Sequence, residues 1–310
     1  MSVTRAYHLP MMRRHKVGEA AKRAAISTLR RLPASGNGSR RCVVLCYHSI
    51  DPRLPFASAD PDLFERHLEW LRDACTVVPL YDVYACATEG PDPRDGRPVV
   101  AITFDDGYED NFVHAYPRLN ALELPATFFV TVGLVERDTS VVARLEGLRD
   151  GAAVRGMSWE QLAELHDAGF AVSSHTYSHP NLARLDRAGA TREITRAKEI
   201  LEDRLQVADR CFAYPFGKPG HHFTDETMDV LRDAGYRFAV SVVFRGVQEG
   251  DDPLAVPRFF VRGDDVKTLE EKVRGAWDRI GRVQARLPAS IARAVFPADF
   301  AHGNEGVQPG

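Results

Sequence analysis

Two short stretches hold side chains that could together carry out hydrolysis. Residues 102–107 read "ITFDDG", with Asp105 and Asp106 adjacent after an apolar run and before a glycine. Neighbouring carboxylates repel when both are ionised, so a buried pair needs positive charge beside it. Residues 173–182 read "SSHTYSHPNL" and place His175 and His179 four apart. Pro180 disfavours a helix through that pair, so a strand end curling into a loop must aim both imidazoles at one point. Two imidazoles and one carboxylate form a common catalytic zinc set that leaves coordination positions open. If Asp106 is the third ligand, the dication relieves the repulsion, and Asp105 stays ionised to take a proton from water held there. Each motif alone is weak evidence: a histidine pair can be surface or core, and Asp-Asp-Gly can be a plain turn. Joint placement of both motifs at strand ends is what points to a catalytic metal site.

The elements that must position them alternate along the chain. "CVVLCYH" (42–48), "TVVPL" (76–80), "PVVAITF" (98–104), "ATFFVTV" (126–132), "FAVSSH" (170–175), "RCFAYPFG" (210–217) and "RFAVSVVF" (237–244) read as strands. Asp60 before Pro61 opens a helix whose apolar positions are Leu63, Phe64, Leu68 and Leu71. A helix follows Gly107, with Pro117 kinking or restarting it. Ser158 with Gln161 forms a capping box, and that helix should stop at Gly169. Ile194, Ala197, Leu201 and Leu205 mark one face of a long helix, and residues 225–234 form another. The stripe Val266, Leu269, Val273, Trp277, Ile280, Val283 and Leu287 predicts a long final helix. Repeated strand–helix alternation argues for an α/β fold with a mainly parallel sheet, and about seven strands suit a (β/α) barrel. Catalytic groups then gather at the C-terminal strand ends, where Asp105–Asp106, His48, His175 and Tyr214-Pro215-Phe216-Gly217 all fall.

Three segments follow: a basic leader and linker (1–40), a catalytic domain (41–265), and a C-terminal helix with a polar tail (266–310). Residues 1–41 hold ten Lys and Arg against the single acid Glu19, whereas the whole chain has a net charge of −3. The leader reads as a solvated tail, or as a helix lying on an anionic membrane or a partner through residues 1–31. It lacks interleaved aromatics and an accompanying motif, which argues against nucleic-acid binding. Five cysteines without a CxxC pair argue against a disulfide framework, with Cys46 and Cys211 read as small apolar residues. No run of about 18 apolar residues and no secretory signal are recognised, so the expected location is cytoplasmic, either free or held at the inner membrane face through residues 1–31.

"TFDDG" followed about 70 residues later by "SSHTYSH" resembles the polysaccharide deacetylases, carbohydrate esterase family 4. "MSWEQLAELHDAGFAVSSHTYSHPNLARL" and "FAYPFGK" match the family's texture, and the similarity runs from about residue 41 to 265. The resemblance implies a distorted (β/α) barrel, one divalent metal, and hydrolysis of N-acetyl groups on amino-sugar glycans. By motif position it implies Asp105 as base and Asp106, His175 and His179 as metal ligands. It also implies the N–H of Phe216, in a turn with Tyr214 and Pro215, as oxyanion donor. Two features depart from the family. Ala213 stands where many members carry an arginine that orients the base, and the Leu-x-His near the domain end is missing, since after His222 only His302 remains. "VLCYHSI" (44–50) resembles the opening of the poly-β-1,6-N-acetylglucosamine deacetylase subgroup, which makes His48, as imidazolium, the candidate acid. Arg258 in "VPRFFVRGDD" is the candidate substitute for the arginine and a candidate substrate contact.

The expected activity is metal-dependent N-deacetylation of a glycan or oligosaccharide, with zinc as the metal and cobalt, nickel or iron as alternatives. The competing readings are deacetylation of a small amino-sugar conjugate, and a sugar-binding relative without turnover.

Overall fold

The computed structural model describes residues 41–278 apart from 55, 89–95, 207 and 209. The basic leader, its expected membrane contact, and the stripe positions Ile280, Val283 and Leu287 lie outside the described residues.

Eight strands pair in parallel throughout: β1 (Cys42–Tyr47), β2 (Thr76–Val77), β3 (Val99–Phe104), β4 (Ala126–Val130), β5 (Ala171–Ser174), β6 (Cys211–Ala213), β7 (Phe238–Val240) and β8 (Phe259–Phe260). Seven follow one path, β7-β6-β5-β4-β3-β1-β8, and β2 pairs off that path beside the start of β3. Every residue of β1, β3 and β4 is buried. That is why these strands read as continuous apolar runs rather than alternating ones.

The helices are α1 (Pro61–Ala74), α2 (Leu80–Thr88), α3 (Tyr116–Ala121), α4 (Val132–Val135), α5 (Thr139–Leu148), α6 (Trp159–Asp167), α7 (Arg187–Leu205), α8 (Asp225–Asp233) and α9 (Val266–Val273). Asp60 caps α1 by accepting from the Leu63 N–H at 2.7 Å, and Phe64, Leu68 and Leu71 form its buried face. The capping box of Ser158 and Gln161 opens α6. After Gly107 the chain first forms a π-helical turn at Asn111–Ala115, and α3 restarts around Pro117. Proline has no N–H to continue the ladder, so the winding widens before it resumes. The final stripe is interrupted within the described residues. Helix α9 stops at Val273, because Arg274 caps it and Gly275 turns left-handed at φ +90°. Trp277 still packs on the core beyond that break.

The two-residue strand β8 escapes pattern reading because only Phe259 and Phe260 pair. It nevertheless completes the ring. Residues 253–256 bond to β7, with Val256 N–H donating to Ala239 O at 2.9 Å and Ala239 N–H to Pro253 O at 2.8 Å. Three residues on, Phe259 and Phe260 pair with Leu45 and Cys46 of β1. One segment therefore spans the gap between the two edges, and it carries Arg258 at its middle, giving a distorted (β/α) barrel.

Gly107 shows how tightly the turn after β3 is packed. Its φ is +80°, and an added Cβ would lie 2.9 Å from both Cβ and Cγ1 of Val130 and 3.1 Å from its Cα. Gly107→Ala is expected to lower the unfolding free energy by about 2 kcal/mol through backbone strain and overpacking. Urea denaturation measures this, and an unchanged midpoint would contradict the close approach.

Candidate active site

The groups singled out by sequence converge on the C-terminal end of the sheet. His48 follows β1, Asp105 and Asp106 follow β3, His175 and His179 follow β5, and Pro215 and Phe216 follow β6. Arg258 enters from the closing segment. The backbone is strained here. Eight described non-glycine residues have positive φ, and four of them surround the site: Asp106 (+73°), Thr176 (+67°), His179 (+56°) and Phe216 (+61°). The other four, Glu123, Arg137, Asp150 and Gln206, follow helix ends, where that conformation is ordinary. Hydrogen bonds hold the strained set. Thr176 Oγ1 accepts from the His179 N–H at 3.0 Å, Ser174 Oγ accepts from the Thr176 N–H at 3.2 Å, and Thr131 N–H donates to Asp106 O at 3.2 Å. Strain retained this way is typical of sites where geometry matters more than local stability.

Asp106, His175 and His179 form one buried group. Asp106 Oδ1 lies 3.6 Å from His175 Nε2 and 3.3 Å from His179 Nε2. That oxygen is buried and accepts no hydrogen bond. His175 Nδ1 is 2.8 Å from Ala213 O, which fixes the proton there and leaves the Nε2 lone pair facing Asp106. Burial pushes the His175 pKa down to about 4 despite the two carboxylates, so the ring is a neutral donor near pH 7. Ligands of a tetrahedral zinc ion with bonds of about 2.1 Å lie roughly 3.4 Å apart. The orphaned oxygen, the tautomer and the spacing all fit a divalent metal held by these three residues.

The carboxylate pair is compensated in a way the motifs did not foretell. Each aspartate has its own buried arginine. Arg258 Nη1 and Nη2 donate to Asp105 Oδ1 and Oδ2, both at 2.7 Å, and Arg258 Nη1 also donates to Thr103 Oγ1 at 3.0 Å. Arg149 donates through Nη2 to Asp106 Oδ2 and through Nε to the Tyr108 hydroxyl at 2.9 Å. The expected relief of repulsion by a dication alone is thereby corrected: two guanidinium groups already balance the pair. Burial works to raise the Asp105 pKa, but the Arg258 charge and its two bonds outweigh it and hold it at about 2. Asp106 is likewise kept well below the usual carboxylate range: burial works to raise it, and Arg149 together with the neighbouring His179 and His48 outweighs that.

The remaining candidates divide. His48 is half-buried, its ring 4.7 Å from that of Phe260 and its Nδ1 3.8 Å from Cys46 Sγ. Burial lowers its pKa to about 3, so the resting ring is neutral, against the imidazolium expected above. Ser58 Oγ accepts from the His48 N–H at 2.8 Å, and Asn111 Nδ2 donates to His48 O at 2.7 Å, which locks its backbone. Phe216 sits beside the trio, its ring 4.8 Å from that of His179, and among the described residues its N–H has no backbone acceptor. Pro215 is buried in the same turn. Tyr214 does not face the site. Its ring stacks on Phe223 at 3.6 Å, its hydroxyl donates to Leu254 O at 2.9 Å, and it has no exposed surface for a substrate. Arg258 is also fully buried with its fork committed to Asp105, which removes it as a substrate contact and leaves it positioning the carboxylate.

Sequence reasoning missed two site residues. Arg149 stands 43 positions from Asp106 in an unremarkable helix end, with no spacing signal to flag it. Cys46, read as an apolar filler, directs its thiol to Asp105 Oδ2 at 3.3 Å. Its position two before His48 on a buried strand was the available clue.

Residues 92–239 match the family profile described as polysaccharide deacetylase. Over 200 residues the chain is 26% identical to a putative polysaccharide deacetylase, YxkH, of Bacillus subtilis, a match covering 64% of this chain and 63% of that protein. It thus spans just under two thirds of that relative. It is 22% identical over 231 residues to a poly-beta-1,6-N-acetyl-D-glucosamine N-deacetylase of Staphylococcus aureus, covering 71% and 72% of the two chains. Among solved structures, IcaB from Ammonifex degensii superposes with a TM-score of 0.63 at 26% identity, covering 76% of this chain and 98% of that one. The resemblance drawn from "TFDDG" and "SSHTYSH" holds, as does the barrel.

Replacing Arg258 by methionine would strand Asp105 as a buried charge. The unfolding free energy at pH 7 is expected to fall by about 3–5 kcal/mol. The sign with pH follows from the lowered pKa of Asp105. The pair's stabilisation is complete above the carboxyl's ordinary value near 3.8 and is lost as pH falls through about 2. The gap between wild type and Arg258→Met in denaturant titrations should therefore narrow below about pH 4. A gap constant from pH 7 to pH 2 would contradict the ion pair.

Proposed function

We propose, for a chain whose residues 92–239 carry the polysaccharide deacetylase domain, that this site hydrolyses N-acetyl amides on amino-sugar glycans or oligosaccharides. One observation carries the reading. Asp106 turns an unpartnered oxygen toward two imidazole nitrogens at 3.3 and 3.6 Å, while its neighbour Asp105 is held ionised beside them. The relatives' names support the substrate class, since the S. aureus protein is named for poly-β-1,6-N-acetylglucosamine and aligns over 71% of this chain.

Asp106, His175 and His179 would hold the divalent metal, zinc by the donor set. When bound, that ion supplies Lewis-acid polarisation of the acetyl carbonyl and acidifies water at neutral pH. The chain's own groups do the rest. Asp105 takes the proton of the attacking water at a carboxylate oxygen. Arg258 keeps that carboxylate ionised and oriented through both of its oxygens. The Phe216 N–H donates to the oxygen on which negative charge develops. His48 protonates the departing nitrogen as the C–N bond breaks. Because its resting ring is neutral, that proton arrives during turnover, and the one taken by Asp105 is the nearest source: the ligand atoms of Cys46, His48 and Asp105 lie within 4.8 Å of one another.

The test combines elemental analysis of purified protein with acetate release from chitooligosaccharides, β-1,6-linked oligomers and monosaccharide conjugates. About one divalent ion per chain and release from the oligomers are expected. Release from monosaccharide conjugates alone, or from none of the three, would overturn the glycan reading. Asp105→Asn should lower turnover by roughly 10²–10⁴-fold with metal content retained, and His175→Ala should lose both. Acetate release at the wild-type rate by the asparagine variant would remove Asp105 as base.

A further inference from the structure

The charge balance around Asp106 gives Arg149 a part that no motif assigns. Arg149 caps the C-terminal end of α5, and only 9% of its side chain is exposed. Three buried groups enclose its guanidinium. It donates to Asp106 Oδ2 and to the Tyr108 hydroxyl, and its central carbon lies 4.8 Å from the centre of the Phe56 ring. Tyr108 and Phe56 are themselves buried and in ring contact at 5.3 Å. The guanidinium is thus fixed on the side of Asp106 opposite the histidines, and only Oδ1 is left for them.

We infer that Arg149 sets the affinity of the metal site: it stands in for the metal's charge in the metal-free chain and opposes the dication when it binds. The inference rests on the reading of Asp106, His175 and His179 as metal ligands. Without metal, Asp105 with Arg258 and Asp106 with Arg149 are two neutral pairs, so the buried carboxylates need no further cation. A dication entering at Oδ1 makes the site net positive and meets the guanidinium across the width of one carboxylate. Removing the guanidinium reverses both effects. The metal-free chain then holds an uncompensated buried carboxylate, which the dication neutralises. At a separation of roughly 5 Å, repulsion between the two cations weakens binding about tenfold even under water-like screening. The net positive charge has a use, since it favours the negative charge that develops on the substrate oxygen. Arg149 is on this account a positioning and affinity-setting residue that need not touch substrate.

Zinc affinity of metal-depleted wild type, Arg149→Met, Arg149→Lys and Arg149→Gln, measured by competition with a chromophoric chelator, tests this. Melting temperatures with and without zinc are recorded alongside. Arg149→Met is expected to bind zinc at least about tenfold more tightly, and zinc should raise its melting temperature more than that of wild type. Arg149→Lys, which keeps the charge, should stay near wild type. Folding of Arg149→Met only when zinc is supplied would support the inference equally. If Arg149→Met does not fold in either condition, Arg149→Gln is judged by the same criteria. Equal or weaker binding in the neutral variant, with wild type binding zinc, overturns the inference alone. A wild-type chain that binds no zinc overturns the metal reading with it.

Discussion

Two adjacent carboxylates buried at one strand end, each bonded to a separate buried arginine, are the constraint on which the rest of the architecture depends. A buried charge stripped of its partner costs several kcal/mol, so the chain must bring both guanidinium groups to β3 for the barrel to form with Asp105 and Asp106 ionised. Arg258 arrives on the segment that joins β7 to β1, 153 positions from its partner. Arg149 arrives from the end of α5. Ring closure and helix docking are therefore coupled to the electrostatics of the site. The low pKa of Asp105 is a consequence of the fold's completion rather than of the local motif.

The same strand ends show how the fold trades local comfort for aim. Asp106, Thr176, His179 and Phe216 keep left-handed backbones that their side chains disfavour. Thr176 and His179 are held by bonds to hydroxyls and Asp106 by a backbone bond from Thr131. Ala213, where a family arginine was expected, contributes through its backbone instead: its carbonyl accepts the His175 Nδ1 proton and so turns Nε2 toward Asp106. Arg258, on the segment that joins β7 to β1, bonds both oxygens of Asp105. His48 is treated similarly. Its side chain is half-buried, and Ser58 and Asn111 pin its backbone. Asp110 secures the next two residues, accepting from the Ile50 N–H and the Ser49 hydroxyl.

Much of this was legible in the sequence, for identifiable reasons. Fully buried parallel strands write themselves as apolar runs, so β1, β3 and β4 were evident, and side-chain caps marked α1 and α6. The three metal-ligand candidates sit inside two compact motifs, which local reading can find. What escaped includes the helices α2 and α5, which were not read at all, and features that are non-local or very short. β8 has two residues and no period to detect. Arg149 meets Asp106 only through tertiary packing, and nothing around "LRDG" (148–151) announces it. Tyr214 lies beside a site residue in sequence yet points into the core, because successive positions along a strand end face opposite ways. The break after Val273 was not read from the apolar stripe, because Gly275 adopts a left-handed backbone that the pattern does not encode.

The reading of the site as a hydrolase rests on both carboxylates being ionised at once, one free to take a proton and the other offering an oxygen to the histidines. A site in which the neighbours shared one proton would have neither property, since the pair would titrate as a unit with one value strongly raised. The decisive measurement is a carboxyl-carbon NMR titration of metal-free protein labelled at aspartate, with Asp105 and Asp106 assigned. Both signals should remain those of carboxylates from about pH 8 down to about pH 4. A signal from either residue that titrates between about pH 5 and pH 8 would mean a shared proton, and would contradict the account.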